Sequence, residues 1–399
     1  MHILLVTREH EPEKRYGLGR SLMPLMGALE RRGHRLRYLC QGDLAAGEQE
    51  FAHRLYRRLA RLLRRPPDSR YRDFLWVMIE RLAMGRLAAK VAAREGCTHV
   101  HCHDPIIAAG YRFFARLTPG AKAAWGVTEH GFGCYMRAIQ EDGIPFSPRL
   151  MRWARSREAR VLKAAAWVIA PTRAALLQLA RDLDTAPVPA TWRFVYHARP
   201  QLRRYDRREA RKRLGWDEGT IYIVGVGRLV GLKRFPLLIE ACAQLAERER
   251  IQLVLLGEGD QETLRRQARE AGLAREILFA LTDDIGLYLC AADLYASASA
   301  SESFGLANLE AMLCGIPVVV TAVGGVPEVV GEGAWLVPPD ADGATMAQAM
   351  QRVLEDAGLR QALVQRGRMR ASAWPDVEKI AELYEDIYRM AVAQTDRAL

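Results

Sequence analysis

No apolar run among the 399 residues reaches eighteen, which leaves nothing long enough to cross a bilayer as a helix. There is no Cys-x-x-Cys pair either. The seven cysteines are scattered and odd in number, which argues against a disulfide framework and for reduced thiols, most of them small core residues. Met1 to Thr7 read as a strand with neither a basic leader nor a cleavage site, so a cytoplasmic protein is expected. Internal repeats and low-complexity tracts are absent. Negative charge is in deficit: 58 lysines and arginines face 47 acids, leaving a formal charge of +11. That imbalance implies an anionic partner.

What is present is apolar bulk and length. Half of the 399 residues are hydrophobic, and a chain of this size suits two domains rather than one core. Short apolar strands alternate with longer helical patterns, the mark of parallel sheets with crossover helices. Strands are expected at 3–6, 36–39, 99–102, 123–128, 167–170 and 194–196. A charged stretch from about 199 to 219, holding a basic helix at 207–214, separates them from a second set at 221–226, 251–256, 277–279, 294–296, 316–320 and 334–337. The expected fold class is α/β, two doubly wound Rossmann-like domains over 1–199 and 200–376. Such sheets hold ligands outside the carboxyl ends of their strands, here across a central cleft.

The densest basic stretch interleaves Arg54, Arg57, Arg58, Arg61, Arg64 and Arg65 with Leu55, Tyr56, Leu59, Leu62 and Leu63 at helical spacing. Residues 54–65 thus read as an amphipathic basic helix that lipid phosphates would attract. The alternative is a solvated arginine face. Nucleic acid is not expected as a partner, because no recognisable binding motif or aromatic stacking platform accompanies the charge.

The segment from Ser301 to Glu328 carries the most chemistry. A polar loop from Ser297 to Ser303 follows a short strand, and Leu306, Leu309, Met312 and Leu313 mark a helix that starts near Gly305. Free amides at such a start attract phosphate. Glu310, about one turn in, is placed to accept two hydrogen bonds from a vicinal diol such as a ribose. Glu302, in the loop, would reach the other end of the same ligand. Upstream, Arg228 follows a strand and Lys233 opens a helix expected over 234–248. Two fixed cations there suit a diphosphate leaving group, on which negative charge grows during reaction.

The Glu302-x7-Glu310 spacing, with Phe304-Gly305-Leu306 inside it and Gly324-Gly325-x-Pro327-Glu328 after it, resembles the retaining nucleotide-sugar glycosyltransferases of family 4. The resemblance runs over nearly the whole chain. It implies the GT-B fold, with the last helix, from 377 into a tail ending at 399, crossing back onto the first domain. Gly227-Arg228-Leu229 with Lys233-Arg234 is similar to that family's phosphate-binding pair. Phe304, Gly305 and Leu306 are then part of the donor site, and Gly17 and Gly19 form the loop facing acceptor and donor phosphate. His130, in Thr128-Glu129-His130-Gly131, matches the histidine near the donor sugar. His103 and Asp104, emerging from Val100-His101-Cys102-His103-Asp104-Pro105, look like a strand-end motif at the cleft. Glu129 and Arg152 are further acceptor-side candidates, Arg152 sharing an expected helix, 148–164, with Arg155 and Glu158. Gly257-Glu258-Gly259-Asp260 resembles a loop near the nucleotide, and reads equally as a strand-to-helix turn capped by Asp260. The chain departs from the family pattern at His197-Ala198-Arg199, near Leu281 and at Ala298, so the donor base stays open between uridine and guanosine.

No metal is expected. His99, His101 and His103 alternate on one side of a strand, about 6–7 Å apart, too far for one ion without a bulge. No Asp-x-Asp pair stands at a strand end; Asp182-Leu183-Asp184 closes a helix. The resemblance therefore implies metal-independent, retaining hexosyl transfer with no cofactor beyond the nucleotide sugar, in which Arg228 and Lys233 neutralise the leaving group. It also implies a glycan or lipid-linked acceptor, with cell-surface polysaccharide or lipopolysaccharide synthesis as its setting, on the inner face of the cytoplasmic membrane. The competing readings are a nucleotide-sugar epimerase of similar fold and a basic binding protein without turnover.

Overall fold

The computed structural model describes residues 1–11, 17–62, 69–141, 144, 146–273 and 275–397. The chain divides into two compact units, Met1–Tyr196 with Val377–Leu399, and His197–Asp376. The division falls after Tyr196 rather than after Arg199.

The first unit holds a six-stranded parallel sheet of β1 (His2–Val6), β2 (Arg35–Leu39), β3 (His99–Cys102), β4 (Ala124–Thr128), β5 (Trp167–Ala170) and β6 (Trp192–Phe194), in the order β2-β1-β3-β4-β5-β6. Strands β1 and β5 are apolar without alternation because helices cover both faces; Ile3, Leu4, Leu5 and Val6 of β1 and Trp167 to Ala170 of β5 are all buried. The expected edge strand at 194–196 instead pairs two residues earlier, Trp192 lying opposite Val168. Helices Ser69–Glu95 and Pro105–Ala115 lie so close that a Cβ on Gly85 would meet the backbone of Ile107, Gly110 and Tyr111.

Helix Val377–Arg397 belongs to this unit and packs on helix Gly17–Arg31 and on β4. Arg31 pairs with Glu378 at 2.6 Å, and Arg32 pairs with the buried Glu385 at 2.6 Å. Its inner face meets the histidines of β3. His99 Nε2 lies 3.0 Å from the Tyr388 carbonyl oxygen, and His101 lies 2.7 Å from both the Tyr388 hydroxyl and Thr128 Oγ1. Burial first, then the neighbouring imidazoles, holds His101 well below the ordinary histidine range, so it is a neutral ring locked between two hydroxyls.

The basic helix runs Ala46–Leu62. Its stripe of Phe51, Leu55, Tyr56 and Leu59 packs against the unit's core, and Tyr56 meets Trp76 edge-on at 5.7 Å. Arg54, Arg57, Arg58 and Arg61 are exposed. Leu63, Arg64 and Arg65 lie outside the described residues. The apolar half of this helix is thus spent inside the protein, and what it presents to solvent is its arginine face.

The second unit repeats the architecture with β7 (Ile221–Val226), β8 (Ile251–Leu256), β9 (Leu278–Ala280), β10 (Leu294–Ser297), β11 (Val318–Thr321) and β12 (Trp335–Val337), ordered β12-β11-β10-β7-β8-β9. β11 starts later than expected because Pro317 has no N–H to give; its carbonyl still accepts from the Tyr295 amide at 3.0 Å. The seven cysteines are all buried free thiols.

Tyr388→Phe removes the buried partner of His101 Nδ1. It should lower stability by about 1–3 kcal/mol, read as a lower urea midpoint with an unchanged slope; an unchanged midpoint would show that this contact contributes nothing.

Candidate active site

In the second unit the strand order reverses between β7 and β10, and the loops leaving these two strands diverge to opposite sides of the sheet. The sequence-predicted donor residues gather at that end. β7 runs into Gly227, where a Cβ would press on the Lys233 side chain, and a Cβ on Gly257, after β8, would overlap the Gly227 carbonyl oxygen. Two strand ends are therefore in backbone contact. Arg228 is exposed, and its neighbour Leu229 is tied to the Glu258 carbonyl at 2.8 Å. Asp260 caps helix Gln261–Glu270 through the Thr263 amide at 3.0 Å, so this loop is built as a strand-to-helix turn.

Lys233 ends a short 3-10 turn, Gly231–Lys233, and does not itself open the helix; Arg234 stands between them in the left-handed region at φ 46°, and the helix is Phe235–Ala243. The Lys233 ammonium forms an ion pair with Glu302 from the loop after β10, side chains 23% and 19% exposed. Ser299 Oγ donates to the same carboxylate at 3.2 Å. The cation and the carboxylate expected at opposite ends of a ligand thus hold each other.

Arg234 is the residue that sequence reasoning passed over. Its guanidinium donates to the carbonyls of Ala298 at 2.6 Å, Ser299 at 3.3 Å and Pro339 at 3.1 Å. With the Ala300 amide on the Leu232 carbonyl at 2.8 Å, it fastens the β7 loop to the β10 loop. Its signal is its place beside Lys233 in the phosphate-binding motif, which says nothing of these carbonyls.

Helix Leu306–Cys314 starts at Gly305, φ 82°, with no side-chain cap among the described residues. Its first amides are open to an anion. Glu310 is 1% exposed, deeper than a position one turn into a solvated helix suggests. Phe304 is buried as well. Its ring meets His197 at 4.9 Å and Trp374 at 5.6 Å, and the Trp374 indole donates to the His197 carbonyl at 2.9 Å. Phe304 anchors the loop from within, so as a donor contact it offers backbone only. Burial lowers His197 to about 4, keeping that ring neutral. The Gly325 amide bonds the Glu302 carbonyl at 2.9 Å, bringing the Gly-Gly-x-Pro-Glu turn to the same loop.

In the first unit the strand order reverses between β1 and β3. Gly17 and Gly19 form the first turn of helix Gly17–Arg31, not a loop ahead of a helix at Ser21. His103 follows β3 and His130 follows β4; their Nδ1 and Nε2 atoms are 2.9 Å apart and their rings stack at 5.2 Å. His103 therefore orients His130. Asp104 is no free acceptor-side acid: it caps helix Pro105–Ala115 through the Ile106 and Ile107 amides and pairs with Arg81 at 3.0 Å. Asp182 is likewise structural, bonded to Arg137, Gln178 and the Cys134 amide.

Glu129 and Glu158 are both buried. Glu158 accepts from the Tyr135 amide at 2.7 Å, while Glu129 Oε1 has no hydrogen-bond partner among the described residues. Burial, then the charges of Glu158 and Asp104, pushes Glu129 well above the carboxylate range; burial raises Glu158 to about 7 against the opposing amides of Tyr135 and Met136. Arg152, on helix Pro148–Lys163, faces solvent and lies apart from this cluster. Another trio, His2, Glu95 and Cys97, has ligand atoms within 4.8 Å of one another. It sits at the opposite, amino ends of β1 and β3, and burial lifts the Cys97 thiol to about 11.

Because Glu129 and Glu158 hold protons in the fold that the unfolded chain releases near pH 4.5, their contribution is intact in acid and is lost as pH rises, for Glu158 through about 7. Glu129→Gln, which mimics the protonated acid, should leave the melting temperature unchanged at pH 5 and raise it at pH 8. Parallel pH profiles for variant and parent would mean that Glu129 is ionised throughout.

The description "Glycosyltransferase Family 4" matches residues 16–197, and "Glycosyl transferases group 1" matches 206–370. The N-acetyl-alpha-D-glucosaminyl L-malate synthase of Bacillus anthracis is 27% identical over 311 residues, covering 77% of this chain and 78% of that protein. Sucrose-phosphate synthase from Thermosynechococcus elongatus superposes with a TM-score of 0.74 at 21% identity, over 99% of this chain and 100% of that one. Anabaena HepE, solved with UDP-glucose, gives 0.67 at 20% identity over 100% of both. With its two parallel six-stranded sheets, the chain is a family 4-like glycosyltransferase of the GT-B fold, an enzyme that transfers glycosyl groups from nucleotide sugars.

Proposed function

We propose that the transfer retains configuration, needs no metal or other cofactor, and moves a hexosyl group to a glycan or lipid-linked acceptor in cell-surface polysaccharide synthesis. The observation that carries this reading is the meeting of Lys233 and Glu302 at the strand-order reversal of the second unit. A diphosphate brought to the amides of Gly305 and Leu306 competes with Glu302 for the lysine, and the carboxylate is then free to accept from sugar hydroxyls. Arg228, exposed one strand-end away, adds a second charge to the leaving group. Glu310 takes the ribose diol. The HepE complex supports a nucleotide-sugar donor of this kind without fixing the base.

In the proposed reaction the bond from the anomeric carbon to the phosphate oxygen breaks while a bond to the acceptor oxygen forms on the same face. The acceptor's proton passes to the departing phosphate. His130, its ring held by His103, places an imidazole at the end of β4 in the first unit. Positive charge on Lys233 and Arg228 and the open helix amides do what a divalent ion would otherwise do. The arginine face of helix Ala46–Leu62 gives electrostatic attraction to an anionic surface, without an apolar stripe to follow it.

Lys233→Ala and Arg228→Ala should each lower kcat by about 10²–10³-fold and weaken nucleoside diphosphate binding. Glu302→Gln separates the roles: transfer falls comparably, whereas the diphosphate alone binds at least as tightly, because the lysine has lost its competitor. Calorimetry with uridine and guanosine diphosphates, and NMR of the product anomer with and without EDTA, make the measurement. An inverted product, loss of activity in EDTA, or a Glu302→Gln variant that no longer binds diphosphate would overturn the proposal.

A further inference from the structure

A different face of the first unit carries an unabsorbed signal. Helix Pro148–Lys163 reads PRLMRWARSREARVLK, and its only acid, Glu158, points inward. Arg149, Arg152, Arg157, Arg160 and Lys163 are all exposed. Beside it helix Pro105–Ala115, which has no acid at all, carries Arg112 in its last turn and is followed by Arg116. The two are one surface: Arg112 Nη1 donates to the Arg160 carbonyl at 3.3 Å. Burial first, and the charges of Arg116 and Arg160 second, depress the Arg112 guanidinium.

Large apolar side chains stand exposed among these cations. Trp153 is 57% exposed, with the Arg157 guanidinium 5.3 Å from its ring centre, while Phe113 is 59% and Leu117 66% exposed. A polyanion without stacking surfaces needs only the charge and leaves the aromatics without a role. A bilayer interface uses both, since tryptophan settles at the headgroup level while arginine and lysine lay their stems along the acyl boundary and keep their charges on phosphate. Helix Ala46–Leu62 differs on this point, its apolar side chains being packed inside.

We propose that this face, formed by helix Pro148–Lys163 and the end of helix Pro105–Ala115, docks on an anionic lipid bilayer, with Trp153, Phe113 and Leu117 entering the headgroup layer and Arg116, Arg157, Arg160 and Lys163 pairing with lipid phosphates. The surface stands on exposure and charge alone and holds whether or not the donor chemistry is as proposed. It differs from the 54–65 stretch in joining apolar and basic side chains on the same solvent face.

The test is sedimentation of the full chain with vesicles of phosphatidylcholine alone and of phosphatidylcholine with phosphatidylglycerol. Binding is expected to the mixed vesicles only. Each surface cation is worth about fivefold in affinity, so Arg157→Gln, Arg160→Gln and Lys163→Gln together should weaken it at least tenfold. Trp153→Ser with Phe113→Ser, which leaves charge untouched, should weaken it severalfold, and both variants should keep the parent's melting temperature and diphosphate affinity. Removing the charges of Arg54, Arg57, Arg58 and Arg61 should weaken it less than either of these variants does. Equal binding to neutral vesicles overturns the proposal, as does full binding by the Trp153→Ser, Phe113→Ser variant, which would mark general attraction to polyanions. So does loss of binding in the 54–61 variant alone. A concentration-dependent dimer in light scattering that disappears with Trp153→Ser, alongside no vesicle binding, would assign the face to a second copy of the chain.

Discussion

The reversal of strand order in the second sheet is the constraint from which the rest of the donor site follows. Right-handed crossovers send the chain after β7 and the chain after β10 to opposite faces of the sheet. The gap between them cannot be closed by sheet hydrogen bonds, so it has to be closed by something else. Arg234 spans it, donating from the β7 side to the carbonyls of Ala298, Ser299 and Pro339. That leaves Lys233 pointing at Glu302 across the same gap. A polar crevice with an internal ion pair, an uncapped helix start and backbone brought close by Gly227 and Gly257 is what remains. Such a crevice is preorganised for an anion and pays little to reorganise when one arrives.

In the first unit the equivalent position is managed with protons instead of ion pairs. Asp104, Glu129 and Glu158 are all buried near the ends of β3 and β4, and Arg81 pairs with Asp104. Arg81 and Arg8 do not offset the burial of three carboxyls, so burial drives Glu129 and Glu158 toward the neutral form. The histidines next to them answer to the same low polarity. His101 is kept neutral between two hydroxyls, and the stacked series His101, His103 and His130 carries that ordered arrangement to the strand end. The orientation of His130 is thereby linked, through β3, to helix Val377–Arg397.

Strand positions and the two-unit plan were legible in the sequence because parallel strands buried on both faces are short apolar runs between helices. The donor loop was legible too, since Gly305 and Gly227 mark where backbone has to come close. What was hidden depends on partners distant in sequence. Asp104 read as a free acid because nothing local shows that Arg81 pairs with it or that two amides of the next helix are its other partners. Phe304 read as a ligand contact because its aromatic neighbours, His197 and Trp374, are remote along the chain. Arg234 belongs by sequence to the phosphate-binding motif, whereas its three acceptors are backbone carbonyls with no sequence signature.

The same logic separates the two arginine-rich helices of the first unit. Both have cations at helical spacing, and by composition 46–62 has the stronger claim to a membrane, because leucine and tyrosine alternate with its arginines. Packing reverses the order. The apolar stripe of Ala46–Leu62 is consumed by contact with helix Ser69–Glu95 and Phe114, so only charge is left outside. In Pro148–Lys163 the buried positions are Met151, Glu158, Ala159 and Leu162, and Trp153 stands outside them in contact with Arg157. A tryptophan more than half exposed beside an arginine, on a face with no outward carboxylate, has lost apolar burial that the core did not require of it. That loss distinguishes a surface shaped for an interface from one that is merely solvated.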